Sequence, residues 1–245
     1  MRVFVAASLL LLCSVAVAQT ARPLSDQDVA ARPVLVIAPA YPSLAAGEPT
    51  AAEIRVSGTV SRAGTLEQAQ IFPAPGREKY VQAVKDVLPL WRFRPSVSEA
   101  ECAPVAQQQS FVVWFSQEQG KPSVSVSVAR DNKAAVAPGK AAAAPGARAW
   151  RTRPGIEFPE NARERGIEGA AEVALQVSAG GEILKSTLVY ATPLAAFGEA
   201  ALRGVRGASL APLANAGSGP SCMLVPFVFC TDFAPAVPNS ACVHS

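Results

Sequence analysis

The sequence predicts an α+β protein made of two small domains of one kind, each ordered αββαβ, with a three-stranded antiparallel sheet covered by two helices. Three observations carry this. A layout running from Tyr41-Pro42 to Pro95 recurs from Phe158-Pro159 to Pro212 at a constant offset of 117 residues. Inside each stretch, alternating apolar residues flank a Gly-containing turn, and apolar residues at three-to-four spacing follow. Between the stretches lies an Ala/Pro/Gly-rich run with neither period. With no insertion, Ala45 matches Ala162, Val56 and Val60 match Val173 and Val177, and Ser61 and Gly64 match Ser178 and Gly181. Leu66, Tyr80 and Ala83 then match Ile183, Phe197 and Ala200.

Residues 1–18 carry Arg2, an apolar run from Val3 to Leu12 and the small-residue ending Ala16-Val17-Ala18. This is the pattern of a cleaved secretory signal, and it falls short of the roughly 20 residues that span a bilayer. The expectation is export to the periplasm, with no stable membrane span after cleavage. Residues 19–32 form an N-terminal segment, 33–118 the first domain, 119–149 a linker, 150–233 the second domain and 234–245 a tail. In the first domain the strands are Ile54 to Val60, Leu66 to Phe72 and Ser110 to Phe115, with a helix from about Glu78 to Leu88. In the second, a short helix over Glu160 to Arg165 follows Pro159, which suits a first helical turn, and Gly166 suits its end. Strands Val173 to Val177 and Ile183 to Tyr190 close a hairpin around Ala179-Gly180-Gly181. A helix over Leu194 to Val205 and a final strand, Met223 to Phe229, complete the unit.

The linker is basic. From Lys121 to Arg153 it carries seven Lys or Arg side chains, opposed only by Asp131. As flexible coil its roughly 30 residues would span on the order of 30 Å, enough for the two domains to reach separate sites. Overall charge is nearly balanced, with 22 basic and 19 acidic residues, and gives no reason to expect nucleic-acid binding. Beyond Cys13 of the signal, Cys102, Cys222, Cys230 and Cys242 remain, an even number that fits disulfides in an exported chain. Three connectivities are open. Cys222 with Cys230 is disfavoured, since eight residues of straight strand hold them about 26 Å apart, and a Cys230–Cys242 tail staple is preferred. These spacings match no metal cluster, His244 is the only histidine, and no metal or cofactor is expected. With no histidine placed to activate a serine, and with no carboxylate cluster on a motif, the chain is not expected to be an enzyme.

Tyr41-Pro42, Ala45, the valines from Val56 to Val60, Gly64, Ala83 and Trp91-Arg92-Phe93-Arg94-Pro95 together resemble the C-terminal domain of TonB-type energy transducers. Phe158-Pro159, Ala162, Val173 to Val177, Gly181, Ala200-Ala201-Leu202 and Leu210-Ala211-Pro212 give the second copy. The resemblance implies a non-catalytic module associated with TonB-type transport. Such a module adds an extended peptide, as from a TonB-dependent outer-membrane receptor, as a strand at the sheet edge near its last strand. Independently of any family, an uncovered edge offers unpaired N–H and C=O groups to such a peptide. The implied contacts are Tyr41 and Pro42 with Ser110, Phe111, Val112, Val113, Trp114 and Phe115 in the first copy. In the second they are Phe158 and Pro159 with Leu224, Val225, Phe227, Val228 and Phe229.

Each has a packing role as its competitor. Tyr41 and Phe158 also suit anchors of the entering chain, and Trp91 and Phe93 suit the core, with Arg92 and Arg94 as a solvated rim. Trp114 and Phe115 point to opposite faces, so one of them lies outside the core. Pro226 donates no ladder hydrogen bond, which fits an edge strand. The sequence departs from energy transducers in three respects: no retained membrane helix, no histidine within it and no long Pro-rich arm ahead of the folded part. Two other readings stand beside the binding module: an envelope scaffold or cell-wall-associated protein, and a membrane-anchored transducer.

Overall fold

The computed structural model describes residues 21–25, 28, 30–72, 74–129, 147–212, 219–231 and 242–244. The expected signal over 1–18 and the middle of the expected linker and tail lie outside these residues. In chain order the elements begin with β1 (Arg22–Pro23), β2 (Arg32–Leu35), β3 (Ala52–Val60), β4 (Leu66–Ile71) and α1 (Glu78–Val87). After a 3-10 turn at Leu88–Leu90 come β5 (Arg92–Arg94), β6 (Ser96–Ser98), β7 (Ala103–Val105), β8 (Gln107–Glu118) and β9 (Lys121–Ala129). The C-terminal half holds β10 (Trp150–Thr152), α2 (Glu160–Arg163), β11 (Gly169–Val177), β12 (Ile183–Thr192) and α3 (Ala195–Gly204). It ends with β13 (Ser209–Leu210), β14 (Ser221–Cys230) and β15 (Cys242–His244). The result is a mixed α and β fold dominated by antiparallel sheets.

The N-terminal half is organised on a sheet of order β4-β3-β8-β9. Alternation sends Ile54, Val56 and Val60 of β3 and Phe111, Val113 and Phe115 of β8 to one face. There they meet Tyr80 and Val84 of α1, Leu88, Trp91 and Phe93 in one core. In the C-terminal half β12, β11 and β14 are neighbours in that order, and Val173, Leu175 and Val177 pack with Met223, Val225, Phe227, Phe229 and Phe197. The turn glycines make a matching contact in both halves. Gly64 and Gly181 have φ of +76° and +92°, and a Cβ on either would lie 2.1 Å from the carbonyl O of Phe93 or 1.9 Å from that of Leu210. Only glycine fits there. Each turn carbonyl accepts a 2.8 Å hydrogen bond from the N–H of that same residue, Phe93 or Leu210.

Several expectations are corrected. Residues 121–129, expected as the start of the linker, form β9 and pair with β8 over its full length without a register shift. Alternating Ser and Val from Ser123 to Val128 drive this, placing Val124 and Val126 beside the core and the serines outside it. The first sheet therefore has four strands, and β8, expected at its edge, is interior. In the second sheet the outer side of β14 is taken by the chain itself: β1 pairs with Met223 and Leu224, and β15 runs parallel to Val228–Cys230. After Tyr41-Pro42 there is no helix, because Gly47 and Pro49 break the segment and Glu48 folds back to accept the Ala45 N–H at 2.6 Å. Arg94, expected on a solvated rim, is 3 % exposed, whereas Arg92 is exposed as expected.

The two halves are also packed together instead of tethered at a distance. Val97 and Cys102, from the β6–β7 hairpin, cluster with Ala174, Val189, Cys222 and Leu224 on the face of the second sheet away from α3. A disulfide joins Cys102 to Cys222 with a Cα separation of 5.4 Å. Cys230 is disulfide-bonded as well.

Candidate functional site

An exposed strand edge or sheet face is the feature of this fold that can recruit another chain, since buried ladders have already spent their backbone partners. The sequence-derived contacts fall into two groups. Phe111, Val113, Phe115, Phe158, Leu224, Val225, Phe227 and Phe229 are buried, and Pro159 with them. They pack the cores and are out of reach of a partner. Phe158 shows the anchoring role: its ring stands edge-on to Phe197 and Phe229, with centroids 5.9 and 5.8 Å away. Ser110, Val112 and Val228 are half-buried, and Trp114 is 46 % exposed.

Tyr41 and Pro42 are half-buried at the end of the first sheet. The Tyr41 hydroxyl donates to the carbonyl of Thr50 at 2.5 Å and its ring packs edge-on to Tyr80 and Phe115. Tyr80 in turn donates to the Pro49 carbonyl at 2.7 Å. Burial, reinforced by the neighbouring Tyr41 hydroxyl, pushes the Tyr80 phenol up to about 12, so it stays a neutral donor. Tyr41 therefore holds the 41–50 segment down, as an anchor does.

In the two larger sheets, among the described residues, the open edges are the outer sides of β4, β9 and β12. Two of them are irregular. β4 is bulged against β3 and carries Gln68 at φ +52°, and β12 has two register shifts against β11. Bulges twist an edge away from further pairing. β9 is regular and nine residues long, and from Pro122 to Ala129 it has no charged side chain. Neighbouring strands stand about 4.8 Å apart, so a chain added there would lie beside Val124, Val126 and Val128 on the core face and Ser123, Ser125 and Ser127 on the other. Ser125 lies directly opposite Trp114. Sequence reasoning missed β9, although its Ser/Val alternation was the available signal.

The face of the first sheet turned away from α1 carries Arg55, Val112 and Trp114, next to Phe72, and no described element covers it. A groove of about 570 Å³ lies there between Arg55, Phe72, Val112 and Ala129. The Arg55 Nε donates to Glu53 at 2.7 Å, and both side chains remain accessible.

A buried ionic group lies where the N-terminal segment meets the two halves. The Arg94 Nε donates to Glu172 at 2.5 Å, and its Nη2 lies 3.1 Å from Asp28. Arg22 forms a two-pronged pair with Asp28, at 2.5 and 2.9 Å, and reaches Glu172 at 3.3 Å. Burial of Asp28 opposes its charge, but hydrogen bonds from Arg22 and Ser25 outweigh it and hold the carboxyl well below the usual carboxylate range. This group ties the N-terminal segment to both halves. The described residues contain no cluster of His, Cys, Asp and Glu able to hold a metal ion, and no helix long and apolar enough to cross a membrane.

Residues 154–230 match the family described as Gram-negative bacterial TonB protein C-terminal. The matched stretch contains α2, β11, β12, α3, β13 and β14, which makes it a TonB C-terminal-like domain, a type of protein-interaction module. No curated protein matches the chain.

Proposed function

We propose that the chain is a non-catalytic periplasmic protein-binding protein with two TonB C-terminal-like domains, the first over 33–118 and extended by β9, the second over 150–233. It takes up an extended peptide of an outer-membrane receptor or another envelope protein by adding it as a strand to β9. The observation that carries this is the regular outer edge of β9, uncharged from Pro122 to Ala129. The family match supports the module type, and the Cys102–Cys222 disulfide fits an exported protein. The contacts once expected on β8 and β14 move one strand outward in the first domain and are not offered in the second, where β1 and β15 occupy the outer side of β14.

Amide hydrogen exchange with synthetic peptides from the N-terminal segments of outer-membrane receptors tests this reading. Protection confined to alternate amides of 121–129 is expected; protection on β4 or β12, or none at saturating peptide, overturns it.

A second reading is favoured by the capping of β14 and by the bonded halves: an envelope scaffold associated with the cell wall. It predicts that the protein sediments with purified sacculi, and that receptor peptides do not release it.

A further inference from the structure

Arg55 and Glu172 occupy corresponding places on the two sheets. Each sits on the first strand of its sheet's hairpin, β3 or β11, facing away from the helix. Glu172 lies across from Pro226 on one side and Tyr190 on the other. Arg55 lies across from Val112 on one side, and on the other its carbonyl accepts the N–H of Phe72 at 3.0 Å. The charges are opposite, and so are the surroundings. Over Glu172 the β6–β7 hairpin and its approach fold down, setting Arg94 on the carboxylate and Val97 and Cys102 on the apolar residues around it. Over Arg55 no described residue folds down: the groove is open, Phe72 is 49 % exposed and Trp114 46 %.

We infer that the face around Arg55 is a docking site for an acidic hairpin or loop of a partner protein. The partner sets a carboxylate on Arg55 and small apolar side chains over Phe72 and Val112, the charge-reversed counterpart of the interface already formed inside the molecule. Paired aromatic and apolar exposure of this kind marks interaction surfaces, and a carboxylate meeting a guanidinium supplies the register. A polyanion is not the occupant. Arg55 is the one cation among the described residues lining the groove, too little positive charge for a polyanion, while Glu53 holds only its Nε, at 2.7 Å, and leaves the two Nη groups to a single carboxylate. The contacts it uses, Arg55, Phe72 and Val112, lie off β9, which the groove meets only at Ala129, so the inference does not depend on strand addition.

The internal interface supplies the probe. A synthetic peptide of residues 92–105 carrying R94E and C102S is titrated into the mature protein, beside a control peptide carrying C102S alone, with amide shifts followed by NMR. The R94E peptide should perturb Arg55, Phe72 and Val112, and the control should not. In an R55E protein the preference should invert, with the R94E peptide weakened roughly tenfold. Arg55 is 68 % exposed, and the substitution leaves the core untouched. Equal binding of the two peptides, shifts confined to other residues, or no shifts at millimolar peptide would each overturn the assignment.

Discussion

Arg94 and Glu172 stand 78 residues apart in sequence and meet in a buried, directly hydrogen-bonded pair, with side chains 3 % and 5 % exposed. Their contact, with Asp28 and Arg22 around it, fixes how the two sheets sit against one another. Removing one partner strands a buried charge, which typically costs more than the pair itself is worth. Glu172→Gln should therefore destabilise by about 3 kcal/mol in chemical unfolding. The double variant Arg94→Met/Glu172→Leu should recover most of that loss. Additive losses in the double-mutant cycle would show that the two residues do not act as a pair.

The same group sets the acid limit of the fold. Asp28 has a carboxyl held below its ordinary value, chiefly by Arg22 and Ser25 against the cost of burial. A depressed folded value gives stability that is complete above the unfolded carboxylate range and is lost as pH falls. Unfolding midpoints should accordingly stay level down to about pH 4 and fall below it. Asp28→Asn, already destabilised, should show a shallower decline. A wild-type midpoint that rises on acidification would contradict the assignment.

The Cys102–Cys222 disulfide closes a loop across 120 positions of the chain. On the chain-entropy account such a crosslink contributes about 5 kcal/mol. Reduction should lower the melting temperature, and Cys102→Ala/Cys222→Ala should reproduce the drop and make it insensitive to reductant. Non-reducing peptide mapping should find this bond together with a Cys230–Cys242 staple; the backbone of β15 already runs alongside Val228–Cys230. An unchanged melt under reductant would remove the bond from the account.

What the sequence allowed to be read follows from the range of each interaction. Period-two valines, Gly64 and Gly181, and the apolar stripes of α1 and α3 are local signals, and the hairpins and longer helices lie within a few residues of where those signals set them. β9 was lost because Pro122 and the Ala/Pro/Gly run that follows masked six residues of Ser/Val alternation. Arg94 was misplaced because its carboxylate partner comes 78 residues later, and no local period announces such a pair. The capping of β14 by Arg22–Pro23 and by Cys242–His244 is equally nonlocal. For the binding site, strand alternation puts one of Trp114 and Phe115 outside the core without saying which, and the structure leaves Trp114 outside and buries Phe115.

The turn glycines offer a test that treats both halves alike. At Gly64 and Gly181 an added methyl group meets a backbone carbonyl near 2 Å, at a φ that other residues adopt only with strain. Gly64→Ala and Gly181→Ala should each cost about 2 kcal/mol or more, whereas Gly120→Ala, at φ +78° with open space around it, should cost about 1 kcal/mol. Denaturant midpoints of the three variants rank them directly. Equal losses at all three would mean that the left-handed backbone alone sets the penalty, and that the contacts with Phe93 and Leu210 yield without cost.

Strand addition makes the sharpest demand on a single segment. Pro at Ser125 or at Val126 removes one N–H of β9, and because N–H groups alternate sides, one variant loses a bond to β8 and the other a bond offered outward. The outward one should retain the fold, by circular dichroism and unfolding midpoint, and weaken receptor-peptide binding roughly tenfold or more, as expected for a lost backbone bond plus a local clash. The inward one should lose stability first. Peptide binding that survives both substitutions in folded protein would take β9 out of the mechanism, and the same peptides titrated into an R55E protein should bind unchanged, since that substitution alters the sheet's face and leaves its edge intact.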